Sequence, residues 1–589
     1  MDNLDYGIIG NCRSAALISK NGAIEWCCLP EFDSPSVFGK LLDDEIGGSF
    51  EILVDDSYTI EQYYHTNTAI LVTKFTSGTN CFEIQDFMPR YKKTNDTYNT
   101  RPELIRFVKL LSGTPKFKVL YDPKLEYAQG ETNTFVKDNF MVSLTKEVKF
   151  DTVFLYTSFD KNAVVDSTEI TLTEDGYFLL GYNEKITPPN QQDIGIELER
   201  TRLYWLDWSL RTPNFKMFND QIKRSAITLK LLSYDKTGAV LAAATTSLPE
   251  TIGEVRNWDY RFCWIRDASM VIKVVSKLGH KNVAKRYLQF IIDLIPDKDE
   301  KLQIMYGINK EKKLTEETLH HLKGYKGSKP VRVGNAAYEQ VQNDIYGILM
   351  DVIYELLVKF QVDNEYGEEL WSITKGIVWI VEKHWKEADK GIWEFRSEDK
   401  HFTFSKVLCW TAINRAIMVA ELLQKKHKIK KWQPLESEIR KDIIENAWNE
   451  KKQAFTQSYG SEHMDASVLL MESYGFIAAK DPKFISTVKA IEEDLSNDGL
   501  LYRYKNVDDF GEPSSSFTIC TFWFINSLIK IGQKEKALQH FNQLLSYSNH
   551  LGLFSEDIDF KTKRLLGNFP QAYSHLALIE CAMNFSERV

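Results

Sequence analysis

Near Phe218 the hydrophobic period of the chain changes, and no other feature of the sequence constrains the fold as much. Upstream, apolar residues come in short β-type runs rich in Val, Ile, Tyr, Phe and Thr. Downstream they recur every three to four residues, as helices require. The first ~190 residues therefore predict strands. Ala15–Ile18 and Ile24–Cys28 flank Asn21–Gly22, a strong hairpin signal. Further runs follow at Ser49–Val54, Ala69–Phe75, Cys81–Met88, Leu104–Leu111, Phe117–Tyr121, Thr152–Ser158 and Glu169–Thr173. Many short strands at this spacing predict an antiparallel sandwich. Pro188 and Pro189 break the pattern, and the Trp-rich stretch Leu198–Leu210 predicts a linking helix.

The second half holds about twelve helical segments, near 219–233, 266–279, 281–295, 338–361, 366–385, 409–426, 434–448, 464–473, 483–493, 517–532, 534–546 and 570–584. The clearest stripe is Val341, Ile345, Leu349, Val352, Leu356 and Phe360. Six helix pairs closing into a double ring, an (α/α)6 barrel, account for that number; a sequence repeat of fixed period, which an open solenoid needs, is absent. The resulting division is a β-sandwich domain over 1–190, a helical linker over 191–215 and a barrel over 216–589. Long loops at Pro296–Gly334 and Asn497–Ser516 suggest function, since structureless loops of such length are uncommon.

The chain has 589 residues, a net charge of −9 and 13% aromatic residues. An acidic balance argues against nucleic acid as a partner, and the apolar stretches are too short and too polar to cross a membrane. Eight scattered cysteines without a CxxC, and no basic-then-apolar leader, point to reduced thiols in a cytoplasm. HExxH, GxSxG and GxxxxGK[ST] are missing, and histidines are mostly isolated. No metal or cofactor is expected.

Four loop segments are dense in Trp, Arg and acids. In Arg256–Asp267, Asp267 would cap a helix and Arg266 pair with it. The same Trp258, Trp264, Arg266 and Asp267 also suit a sugar: indoles stack on a pyranose, and charged groups take its hydroxyls. The segment Gly324–Asn335 runs on into Gln340, Gln342 and Asp344; capping explains it equally well. Asp389–Arg396 carries Glu394 beside Trp393, and Gly552–Gln571 carries Glu556. Two carboxylates in loops that one barrel mouth gathers are the minimum for glycoside hydrolysis. Desolvation beside Trp393 would raise the pKa of Glu394, suiting it as the acid. Glu556 must stay ionised to act as the base.

These segments, with NWDYRFCWIRDAS, PVRVGNAAYEQVQNDIYG, DKGIWEFRSEDKHFTFSKVLCW and GLFSEDIDFKTKRLLGNFPQAYSHLALI as their fullest forms, resemble glycoside hydrolase family 15. The N-terminal IGNCRSAALISKNGAIEWCCLPEFDSPSVFGKLL resembles the β-sandwich of its prokaryotic glucoamylase and trehalase branch. The resemblance implies a super-β-sandwich followed by an (α/α)6 barrel, and inversion at the anomeric carbon. It implies Glu394 as general acid and Glu556 as general base, separated by roughly 6.5–9.5 Å. It implies that Arg266 and Asp267 hold the terminal glucose, that Trp264, Trp393 and Trp410 line the pocket, and that Arg332 and Lys406 contact substrate. Glu339 would be a structural carboxylate nearby. Two features depart from the family pattern, Pro513–Phe517 and the vicinal Cys27–Cys28.

The expected activity is release of β-glucose from the non-reducing end of small α-glucosides, of glucoamylase type, with a trehalase of the same family as the alternative. More distant alternatives are an inverting disaccharide phosphorylase, against which Glu556 speaks, and a non-catalytic carbohydrate-binding protein. The oligomeric state is not legible.

Overall fold

The computed structural model describes residues 3–94, 97–145, 151–294, 301–360, 364–397 and 399–589, with backbone only at 359–360 and 364–366. Strands fill the N-terminal part, and all their pairings are antiparallel. One sheet runs in the order Tyr6–Gly10, Ala15–Ser19, Ile24–Cys28, Ser49–Leu53, Lys116–Asp122, Ile170–Thr171, with Ser36–Phe38 beside Ile24–Cys28. The other runs Thr132–Val136, Met141–Thr145, Asp151–Thr157, Gly176–Tyr182, Glu103–Ser112, Asn80–Phe87, Leu71–Ser77, Thr59–Tyr64. Ile18, Phe50, Phe75, Phe82 and Phe178 fill the core between them. The Asn21–Gly22 hairpin forms as expected, and Gly22 takes a φ of 82°, open to glycine at no steric cost.

The vicinal thiols divide between two cores. Cys27 lies in the core between the sheets, whereas Trp26 and Cys28 belong to a second core that continues into the helical half. Trp26 Nε1 donates to the Ala244 carbonyl at 2.9 Å, and Arg261 donates to the Ser34 carbonyl at 2.9 Å. The sandwich and the barrel are thus packed as one body.

Helix α1 (Gln191–Leu210) opens with an Asn190–Asp193 capping box. After it come α2 (Asn219–Leu231), α3 (Ile265–Lys277), α4 (Lys281–Leu294), α5 (Asp344–Phe360) and α6 (Asn364–His384). Then follow α7 (Thr403–Leu422), α8 (Lys426–Asn446), α9 (Pro482–Leu495), α10 (Thr518–Lys530), α11 (Lys534–Leu545) and α12 (Ala572–Phe585). Packing closes an inner ring from α3, α5, α7, the 3-10 turn Ala466–Met471, α10 and α12, which returns to α3. The remaining helices from α2 onward lie outside it, each against an inner neighbour. Burial matches the layers. Inner α3, α10 and α12 are buried nearly all round, while outer α9 buries only Phe484, Thr487, Val488, Ile491 and Leu495, one face of a helix. The (α/α)6 architecture is therefore present.

Boundaries differ in places. The fourth expected helix, near 338–361, starts at Asp344, because Asn335 caps a separate 3-10 turn at Ala336–Glu339 and Gln340 is extended. Val341 accordingly precedes the helix and is exposed. The side chain of Phe360, and residues 295–300 at the start of the expected loop, lie outside the described residues. Helix α8 begins at Lys426 rather than 434 and carries Pro434 inside it. Among the described residues no helix is long and apolar enough to cross a membrane.

Candidate active site

At one mouth of the barrel, loops close around a cavity of about 100 Å³. Trp258, Trp264, Arg266, Asp267, Trp393 and Glu394 line it, together with Tyr260, Gln340, Arg503, Phe510, Phe517 and Tyr573. The loop Asn497–Ser516 supplies Arg503, Asp508, Asp509 and Phe510, so a stretch expected to be functional on length alone does shape the pocket. The segment that departs from the family pattern contributes as well. Phe517 packs edge-on to Trp393 at 5.6 Å, and Ser515 donates to Asp557.

Arg266 organises one side. Its Nε donates to Tyr573 Oη at 2.9 Å, and its Nη1 donates to Gln342 at 2.7 Å and Asp344 at 3.2 Å. Its Nη2 stands 3.6 Å from Glu394 Oε1, and its Nε 3.4 Å from Asp267 Oδ1. Asp267 does not cap α3: Trp264 is the N-cap residue and no side chain caps that end. Asp267 Oδ1 is buried without a hydrogen-bond partner. Burial pushes Asp267 up to about 6, against the pull of Arg266.

Glu394 sits in a turn after Gly391 with φ 61°, a left-handed conformation costly for a side chain with a Cβ. Its backbone N–H donates to Gly391 O, and its carbonyl accepts from Gln340. The carboxylate accepts from Trp264 Nε1 at 2.8 Å and remains 24% exposed to the pocket. Burial raises its pKa, with Arg266 and the Trp264 N–H opposing. The direction is the one expected, but the neighbouring indole differs. Trp393 turns its N–H away, to Asp465 at 2.9 Å.

Glu556 is fully buried and stands behind the cavity lining, which it meets through Tyr260. A small three-stranded sheet, Ser516–Phe517, Asp557–Ile558 and Leu565–Leu566, fixes its backbone. Thr518 N–H donates to its carbonyl, and its own N–H donates to Asn568 O. Oε1 accepts from Tyr260 Oη at 2.6 Å and Oε2 from the Asn568 N–H at 3.2 Å. Gly567 (φ 73°) backs it closely, and a Cβ there would come within 2.6 Å of Oε2. Burial, then the Glu250 carboxylate, push Glu556 up to about 8, against Tyr260, Asn568 and Arg503. The expected ionised base is thus held toward its protonated form by its surroundings.

Three expected contact residues lie elsewhere. Lys406 Nζ is buried and donates to the Trp385 and Glu387 carbonyls. Trp410 packs outward, donating to Glu436 on α8 at 2.6 Å. Both sit on α7, and the sequence pattern does not say which face of that largely buried helix meets the pocket. Arg332 stands outside the lining, stacked on Trp258 at 4.5 Å and donating to the Val255 and Asn257 carbonyls. Glu339 accepts from Tyr338 at the surface. The sequence reading missed Tyr260, Tyr573, Glu250 and Arg503. Tyr260 lay inside the first Trp-rich segment; the buried Glu250–Arg503 ion pair, at 2.6 Å, spans a separation no local signal reveals.

The sequence profile of the glycosyl hydrolases family 15 matches residues 216–583, and that of a trehalase-like N-terminal domain matches 5–149. The trehalase of Thermoplasma volcanium is 36% identical over 99% of this chain and 93% of its own length. The trehalase of Mycolicibacterium smegmatis is 35% identical over 98% of this chain and 90% of its own. A bacterial glucoamylase solved with acarbose superposes with a TM-score of 0.71 at 14% identity, covering 99% of this chain and 94% of that one, and shares the fold.

Proposed function

The chain belongs to the glycosyl hydrolases family 15, and on that footing we propose that it is a trehalase, inverting, with Glu394 as general acid and Glu556 as general base. The observation that carries this reading is the similarity to relatives named trehalase along nearly the whole chain, sandwich included. The glucoamylase-type activity first expected gives way to that alternative.

The pocket supports the roles. Burial raises the pKa of Glu394, the direction that a general acid for the glycosidic oxygen needs. Arg266 Nη2 and Asp267 Oδ1, an oxygen that accepts no hydrogen bond, offer a donor and an acceptor to the hydroxyls of one glucosyl ring. A cavity of about 100 Å³, small beside the roughly 300–1,000 Å³ of typical ligand pockets, suits exo action on one terminal sugar. Glu556 takes the proton of a water attacking from the opposite face. Attack inverts one anomeric carbon and leaves the other untouched, so trehalose yields one β-glucose and one α-glucose. The acid must be protonated and the base ionised, which makes the kcat/KM profile bell-shaped.

Proton NMR of fresh reactions on trehalose, maltose, isomaltose and maltotriose tests this. Equal β- and α-glucose from trehalose is expected. Glu394→Gln and Glu556→Gln should each lose about 10²–10⁴-fold in kcat. Cleavage of maltose but not trehalose would return the glucoamylase-type reading, and glucose 1-phosphate as product would establish a phosphorylase.

A further inference from the structure

A second cavity, of about 1040 Å³, opens where the sandwich, α1 and the start of α4 meet, apart from the acidic pocket. The described residues lining it include nine Lys or Arg and only two carboxylates, Asp207 and Asp235, on a chain whose net charge is −9. The excess is not a solvated rim alone. Arg90 is 1% exposed and Lys230 6%. Arg90 (3.1 Å), Lys230 (3.6 Å) and Arg286 all converge on Asp235. Three cations on one carboxylate leave two formal positive charges; Arg286 faces solvent, but Arg90 and Lys230 are buried, an arrangement that costs free energy unless an anion balances it. Buried Arg90 Nε has no hydrogen-bond partner.

The surroundings add to the field. Helix α4 presents its N-terminus here, with no acid in its first turn and with Lys281 and Lys285 on the lining. Burial, with Lys230 and Arg211, pushes His280 down to about 3, so the ring stays neutral. Trp208 stacks on that ring at 3.8 Å, and Arg90 lies between the Tyr98 and Tyr204 rings at 4.7 Å from each. The space is far larger than a bare ion needs and falls at the upper end of small-molecule pockets.

We propose that this cavity binds a small phosphoryl-bearing molecule, its dianion held by Lys230, Lys281 and Lys285 and any organic part resting on Trp208 and Tyr204. A phosphoryl dianion matches the two uncompensated charges. A sugar phosphate and free inorganic phosphate share that chemistry.

Calorimetry and thermal unfolding of the full chain test it, with glucose 6-phosphate, inorganic phosphate, glucose, and potassium chloride at matched ionic strength. Saturable binding and a raised Tm with a phosphate, absent with glucose or chloride, are expected. Tighter binding of glucose 6-phosphate assigns the sugar-borne group, and equal binding assigns the phosphoryl group alone; both support the site. K281A/K285A, at exposed positions, should weaken binding about tenfold or more while leaving trehalose turnover unchanged. Lys230→Met probes the buried side. No saturable binding beyond the chloride control, or binding that survives both K281A/K285A and Lys230→Met, would overturn the proposal.

Discussion

Glu556 is buried where its charge is least welcome, and this has a consequence for stability. Its pKa stands near 8 in the folded chain, against roughly 4.3 for a solvated glutamate. Between those values the folded state keeps a proton that the unfolded state has lost, so this group makes the fold less stable as pH rises across that window. Glu556→Gln removes that slope. The Tm of the variant relative to the parent should therefore climb from pH 5 to pH 8, read by scanning fluorimetry; a flat difference would mean that the carboxyl is not raised. At this scale the sequence was partly legible. Two acids among aromatic residues in distant loops suggest chemistry only as a pair, and Glu394 beside Trp393 and Glu556 near Phe554 could be picked out together on that ground. Tyr260 and Glu250 could not, because their importance lies in what touches them, and their contacts with Glu556 bridge some three hundred residues. Lys406 and Trp410 had the right composition on a helix whose facing was undetermined.

Among the elements, the 3-10 turn Ala466–Met471 is the irregular member of the inner ring. Asp465 caps it, accepting from Ser467 N–H and Oγ, and the same carboxylate receives the Trp393 N–H. One side chain thus fixes both the shortest wall of the barrel and the indole next to Glu394. Asp465→Ala should cost about 1–3 kcal/mol in stability from the lost cap and the unpaired donors. It should also lower kcat, while a distant cap such as Asp481→Ala, at the start of α9, should lower stability alone. Equilibrium urea unfolding and trehalose kinetics on the two variants separate these outcomes. Elements with a strong period or a turn dipeptide, such as α9 and the Asn21–Gly22 hairpin, were readable in the sequence. The 3-10 turn was read as a helix, because a short apolar run does not distinguish the two.

The molecule as a whole should unfold as one unit. Its second core takes in Ile8, Trp26 and Cys28 from the sandwich and runs on through the barrel helices. Trp26→Ala, which empties a site between the two, should cost about 3–5 kcal/mol and lower one common transition. Separate near- and far-ultraviolet melting curves, or activity surviving after the first, would contradict a shared core. The two-part architecture was legible because its halves differ in hydrophobic period. Their union was not, since residues joining them obey no local pattern.

That union also orders events during synthesis. Asn549 donates to the carbonyls of Leu4 and Tyr6, and Leu565 N–H reaches Asn3. The loop that carries Glu556 is therefore braced by the segment that leads into the first strand, across separations of 543 to 562 residues. Closing so long a loop is entropically slow. That strand must wait, with its last neighbours unmade, until Asn549 and Leu565 have been added to the chain. A nascent chain stalled before Asn549 would hold Glu394 and most of the pocket, yet remain catalytically silent.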